Sequence, residues 1–240
     1  VTFANHFDLA GVLMKNFFPV LVLIMVLTSW FGPLTAAPLA SGTYEEEEYL
    51  IYVPDGIDTD QKYPLIVAFS PGADAEGLIS TWGGHADRNH CIILASKVIK
   101  NGMDIPAYLE RLNKLIKEKV VEQFPVNPGV IALGSSGGGM AAHLFSFFHP
   151  DTVAAVISNV GYIHENSLKH IDTYPHDKVC AFLTSPTDFN YKLMQEDRKF
   201  LKKLGWQLKW FEFAGGHQTA PEEMREEALQ WVLATLAAQK

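Results

Sequence analysis

"VIALGSSGGGMAAHLFSFFHP", residues 130–150, sets a β-branched apolar run, a cluster of glycines around two serines, and an alternating apolar helix end to end. A glycine cluster between a strand and a helix has three uses: cradling phosphate, allowing close packing, or presenting a side chain from a sharp turn. A P-loop needs Lys followed by Ser or Thr after its last glycine, and Met140 and Ala141 stand there instead. The dinucleotide fingerprint G-x-G-x-x-G needs glycine where Ser136 stands. Both phosphate readings fail. Gly134-Ser135-Ser136-Gly137-Gly138 does satisfy G-x-S-x-G, in which a strained strand-to-helix turn lifts a serine hydroxyl clear of the sheet.

Outward from this stretch, strands and helices alternate. The runs 64–70 (PLIVAFS), 91–96 (CIILAS), 130–135 (VIALGS), 153–158 (VAAVIS), 179–185 (VCAFLTS) and 208–213 (LKWFEF) read as strands. Helical spacing occupies 73–89, 104–124, 138–149, 191–205 and 221–237, with Asp104 as a helix cap. The turn Asn127-Pro128-Gly129 is expected to separate the second of these helices from the strand that follows. Such alternation predicts an α/β fold: a mostly parallel sheet with helices on both faces. Residues 41–240 read as one domain of that kind. The four glutamates 45–48 read as a solvated face, with Tyr49, Ile51 and Val53 alternating behind them along a strand.

Composition narrows the class. The chain is 48% hydrophobic and 12% aromatic, as a packed globular core requires. Nineteen Lys and Arg against 27 Asp and Glu leave a net charge of −8, a field that repels nucleic acid and offers no polybasic membrane patch. Cys91 and Cys180 each head an apolar run and read as packed thiols.

Residues 1–37 read differently. Lys15 precedes an apolar segment, Phe17 to Phe31, interrupted only by Thr28 and Ser29, and the small residues Thr35-Ala36-Ala37 follow. That is the pattern of a secretory signal with translation starting at Met14 and cleavage near Ala37, so a secreted or periplasmic protein with no stable membrane association is expected. The alternative is an uncleaved N-terminal anchor, for which the segment falls short of the roughly 20 apolar residues of a spanning helix.

A serine hydroxyl attacks only when a base takes its proton, and the base is oriented by a carboxylate, in the chain order Ser, Asp or Glu, His. Asp188 lies just beyond the strand ending in LTS, and His217 just beyond LKWFEF. All three residues are therefore expected at the carboxyl edge of the sheet, where open α/β folds place their chemistry. Asp172, Asp177 and Asp197 compete for the acid position, but only Asp188 follows a strand directly. The N–H of Gly137 and an N–H from Gly72 or Ala73, on the loop after PLIVAFS, are the expected oxyanion donors, since Pro71 has none. His143 reads as a hydrogen-bonded core residue beneath the turn, and His149 as a helix-end residue. His85, His90, His164, His170 and His176 read as loop residues. No metal and no cofactor is assigned. Trp82, Tyr162 and Phe189 are read as an aromatic, substrate-binding rim at the sheet edge, and residues 159–178 as a loop too polar to serve as a lipase lid.

Together these stretches resemble the α/β-hydrolase family, and within it secreted esterases similar to polyhydroxybutyrate depolymerases and feruloyl esterases. PLIVAFSPGADAEG looks like the oxyanion loop of that group, VNPGVIALGSSGGGMAAHLFSFFHPD its elbow, TSPTD its acid loop and GGH its base loop. Ser70-Pro71-Gly72 departs from the usual His-Gly, and Ser135 from a bulkier residue before the nucleophile. The resemblance implies a serine esterase acting on small or polymeric esters without a cofactor. A peptidase on the same scaffold, or a binding protein that kept the fold without the chemistry, are the alternatives.

Overall fold

The computed structural model describes residues 39–168 and 170–239; the expected export segment lies outside them. Eight strands form one sheet in the order β1-β2-β4-β3-β5-β6-β7-β8. These are β1 (Gly42–Glu45), β2 (Tyr49–Val53), β3 (Tyr63–Phe69), β4 (Ile92–Ser96), β5 (Val126–Ser135), β6 (Val153–Asn159), β7 (Val179–Thr184) and β8 (Gln207–Glu212). From β4 to β8 every neighbouring pair is parallel, and β1 and β2 add an antiparallel edge.

The pleat explains why these runs are apolar throughout. Leu65, Val67 and Phe69 enter one buried cluster and Ile66 and Ala68 the other, so both faces of β3 need cover. The first cluster is closed by α2 (Ile105–Leu115), α3 (Gly137–Phe148) and α5 (Tyr191–Lys203); the second by α1 (Ala75–Asn89) and α6 (Glu222–Ala237). Each large apolar side chain so buried contributes about 1.5–3 kcal/mol. Asp74 caps α1 by accepting from Gly77 N–H at 2.8 Å, and Asp104 caps α2 as its spacing predicts. A short helix, α4 (Glu165–Leu168), follows β6. Cys91 and Cys180 are buried free thiols, and burial pushes Cys91 up to about 12.

The direction of the chain through the sheet locates the site. From β3 it steps one way to β4, then crosses back to β5 on the other side of β3. That reversal opens a crevice beyond the carboxyl ends of β3 and β5.

Several expectations need correction. Asn127-Pro128-Gly129 is part of β5 rather than a turn before it. The pairing of β5 slips beside this segment, at Tyr63/Leu65 on β3 and at Val130/Ile131 toward β6, and such irregularities accommodate a proline that cannot donate to the ladder. The second helix is interrupted by a π-helical turn, Ile116–Val120. The acidic run keeps its solvated face, with Glu45, Glu46 and Glu47 exposed, but it begins inside edge strand β1, where Glu45 pairs with Lys97 at 2.8 Å. Residues 159–178 are less solvated than their polarity suggests, because Ile163 and Tyr174 are packed into the core.

Candidate active site

β5 ends at Ser135 and α3 starts at Gly137, so Ser136 alone turns the chain, with φ 53° and ψ −121°. A non-glycine residue there is strained by about 1–3 kcal/mol and persists only where its surroundings hold it. Here the Ser136 N–H donates to the Asn159 carbonyl at 2.8 Å, and Met140 N–H donates to the Ser136 carbonyl at 3.1 Å. The flanking glycines are demanded by contact. A Cβ on Gly134 would lie 2.2 Å from the carbonyl of Gly138, and one on Gly138 2.2 Å from the carbonyl oxygen of Phe69. The pentapeptide is thus a consequence of β5, α3 and β3 converging on one point.

The structure brings Ser136, Asp188 and His217 together. His217 Nε2 lies 2.8 Å from Ser136 Oγ, and His217 Nδ1 lies 2.6 Å from Asp188 Oδ2. A buried carboxylate on Nδ1 calls for a proton on that nitrogen, which leaves Nε2 to accept from the serine hydroxyl. The Asp188 side chain has no exposed surface, whereas 28% of the His217 side chain is exposed, so the imidazole is open to the surface and the carboxylate is not. The second carboxylate oxygen, Oδ1, accepts from Asn190 N–H at 2.6 Å. Ser185 Oγ accepts from Gly216 N–H at 3.0 Å, tying the loop of His217 to the loop of Asp188.

The other acids lie elsewhere. Asp197 is buried on α5 and accepts from Ile163 N–H at 2.8 Å; its burial pushes its pKa up to about 7. Asp172 lies in a 3₁₀ turn and Asp177 in a left-handed turn, φ 55°, both exposed.

A cleft of about 580 Å³ opens beside the serine. Ser136, Gly137, Met103, Met140, Tyr162 and Phe189 contribute to its lining. Of the expected rim, Tyr162 and Phe189 are therefore in place. Trp82 is not: it lies in the middle of α1, faces inward and is 4% exposed. It lines a separate hollow of about 280 Å³ on the Ser135 side of the elbow, with Thr81, Asp74 and Thr219. Gly137 is the first residue of α3, so its N–H is one of the unpaired donors of a helix start. Gly72 bridges to Lys100, and Ala73 adopts φ 60°.

Two histidines differ from expectation. His143 is buried beneath the elbow, its ring 5.9 Å from that of Phe182, and neither ring nitrogen has a hydrogen-bond partner. Burial depresses its pKa to about 3, so it stays neutral. His85 is a buried residue of α1, with Nδ1 2.5 Å from Glu226 of α6. A partner so distant in sequence leaves no local signal.

Residues that sequence reasoning passed over are three asparagines. Asn159 and Asn190 bind the backbone around the triad, and Asn101 stands against Gly137, where a Cβ would lie 1.9 Å from its Oδ1. Nothing in their local sequence marks them, because each acts across loops.

Fold and serine turn together define an α/β-hydrolase architecture. No family model matches the chain, and no curated protein matches it. Among solved structures it is similar to a thermostable esterase, with a TM-score of 0.57 and 19% identity over 81% of this chain and 62% of that one. It is similar to the carboxylesterase of Bacillus cereus, with a TM-score of 0.61 and 16% identity over 78% of this chain and 94% of that one. A CE1 ferulic acid esterase from Anaeromyces mucronatus has a TM-score of 0.57 and 14% identity, covering 83% and 92%. The chain thus spans less than two thirds of the thermostable esterase, and at these identities the likeness is one of fold.

Proposed function

We propose that the protein is a serine hydrolase that cleaves carboxylic esters through an acyl-enzyme on Ser136. The observation that carries this reading is the unbroken hydrogen-bonded line from Ser136 Oγ through His217 to the buried carboxylate of Asp188, at 2.8 and 2.6 Å. In the first step Oγ bonds to the ester carbonyl carbon while His217 Nε2 takes the hydroxyl proton. The carbonyl electron pair moves onto oxygen, and the resulting oxyanion accepts hydrogen bonds from the N–H of Gly137 and from an N–H of Gly72 or Ala73. Collapse breaks the carbon–oxygen bond to the alcohol, which leaves with the proton from His217. A water then gives its proton to Nε2 and attacks the acyl carbon, releasing the acid and returning the proton to Oγ. Asp188 keeps the imidazole in one tautomer and stabilises its cation throughout.

Short acyl chains or soluble aromatic esters fit the cleft best. Its apolar walls, Met103, Ile105, Met140, Tyr162 and Phe189, enclose about 580 Å³. The segment that could form a lid packs Ile163 and Tyr174 inward instead. A long chain would leave methylenes in water, forgoing about 0.8 kcal/mol for each. Hydrolysis of p-nitrophenyl esters by the native protein and by Ser136→Ala tests the reading. Higher kcat/KM on butyrate than on palmitate, no jump in rate at an oil–water interface, and loss of both activities in the variant are expected. A preference for palmitate would overturn the substrate class, and an active Ser136→Ala the mechanism. Export completes the proposal: N-terminal sequencing of the mature protein should begin near Ala37 or Pro38, and a chain retaining residues 21–27 in the membrane fraction would favour the anchor.

A further inference from the structure

The three loops of the site meet at the end of β6. Asn159 is 2% exposed, and its amide is engaged on both ends. Nδ2 donates to Ser135 Oγ at 2.8 Å and to the Gln218 carbonyl at 3.1 Å, while Oδ1 accepts from Ala220 N–H at 2.9 Å. Its backbone carbonyl is the acceptor for Ser136 N–H. The amide thus joins the residue before the nucleophile to the residue after the base. Its orientation is unique, since a carbonyl on one side requires the NH₂ group and an N–H on the other requires the oxygen.

The next residue extends the connection to the acid. Val160 adopts φ 45°, which a β-branched side chain rarely takes. It is held there by its N–H, which donates to the Leu183 carbonyl at 2.8 Å, and by its carbonyl, which accepts from Asn190 Nδ2 at 2.8 Å. Asn190 in turn donates its own N–H to Asp188 Oδ1. Strained backbone over-determined by its surroundings is a mark of functional turns.

We propose that Asn159 is a positioning residue that sets the His217 loop against Ser136, an inference that rests on the triad reading above. It touches none of the reacting atoms. Its effect is on the geometry of one proton transfer, so its loss should appear in kcat rather than in KM. An aspartate of the same shape would keep the Ala220 N–H and accept the Ser135 hydroxyl, but it would face the Gln218 carbonyl with no donor.

The test is hydrolysis of p-nitrophenyl butyrate and labelling by a fluorophosphonate probe, for the native protein, Asn159→Ala and Asn159→Asp. Asn159→Ala should lower kcat about 10²-fold, the cost of misplacing a reacting group by about 1 Å, with KM within about threefold of native. Asn159→Asp should recover part of this loss. The rate of labelling should fall in parallel while its end point stays near one probe per chain; a merely structural role would lower the end point and leave the rate of the folded fraction unchanged. If Asn159→Ala does not fold, the isosteric Asn159→Asp decides alone. A kcat per labelled site within about threefold of native in that variant overturns the proposal. Native protein that neither hydrolyses the ester nor takes up the probe overturns the triad reading and this one with it.

Discussion

Phe189 lies on the imidazole of His217, their ring centroids 4.1 Å apart and their planes 26° from parallel, while 74% of Phe189 remains exposed. A large apolar ring left in water beside the proposed base has area to bury when a substrate enters the cleft. Phe189→Ala should therefore raise KM for a soluble aromatic ester about 3- to 10-fold, the equivalent of losing on the order of 1 kcal/mol of aromatic contact. Its unfolding free energy should stay within about 0.5 kcal/mol of native, as for an exposed substitution. Steady-state kinetics with unchanged KM would remove Phe189 from the substrate's path.

The roles assigned to the triad differ in what each substitution costs. Ser136→Ala and His217→Ala should each lower kcat by several orders of magnitude, because the members act as a unit on one step. Asp188→Asn should cost on the order of 10⁴-fold by favouring the wrong imidazole tautomer. Ser135→Ala removes one hydrogen bond of Asn159 and should cost about tenfold or less. Near-native turnover by Asp188→Asn would mean that the buried partner of His217 does not orient it.

The glycines of the turn give a prediction about folding rather than rate. A methyl on Gly138 has no flexible side chain to displace, since the atom 2.2 Å away is the backbone carbonyl oxygen of Phe69 in the central strand. Gly138→Ala should destabilise the protein by about 3 kcal/mol or more, measured by urea unfolding. An unchanged midpoint would show that α3 is free to move off β3.

Two buried groups should shape stability against pH in opposite directions. Asp197 holds its proton up to about pH 7 in the folded protein, whereas an unfolded aspartate releases it near 4, so stability falls as pH rises between these values. Asp197→Asn, whose amide oxygen can still accept from Ile163 N–H, should gain up to about 4 kcal/mol relative to native at pH 7.5 and nothing at pH 4. His143 stays neutral down to about 3, whereas an unfolded histidine takes up a proton near 6.5, so stability falls as pH drops through that window. Thermal unfolding of Asp197→Asn from pH 4 to 8 is the check; a constant offset from native would contradict the assignment.

What the sequence disclosed depended on the range of the interaction. Glycines at 134 and 138 report backbone contacts between adjacent elements, and Asp188 and His217 each follow a recognisable apolar strand, so these were legible one by one. Pro128 was misread as a breaker because a slip in pairing with β3 and β6 accommodates it, and that slip belongs to the neighbouring strands. Trp82 and His85 were misplaced for a related reason. Their helix reads as weakly amphipathic, and what buries them, including Glu226, comes from α6 at the far end of the chain. Asn159 was silent because its partners, Ser135 Oγ and loop backbone atoms at 218 and 220, all lie far from it in sequence.

The most direct measurement is peptide mapping by mass spectrometry after reaction with a fluorophosphonate, which bonds covalently only to an activated hydroxyl. One adduct per chain, on Ser136 in the peptide containing GSSGGG, abolished by Ser136→Ala and slowed by Asp188→Asn, is the expected result. No adduct on the folded native protein, or an adduct that persists in Ser136→Ala, would contradict an acyl-enzyme mechanism at this serine.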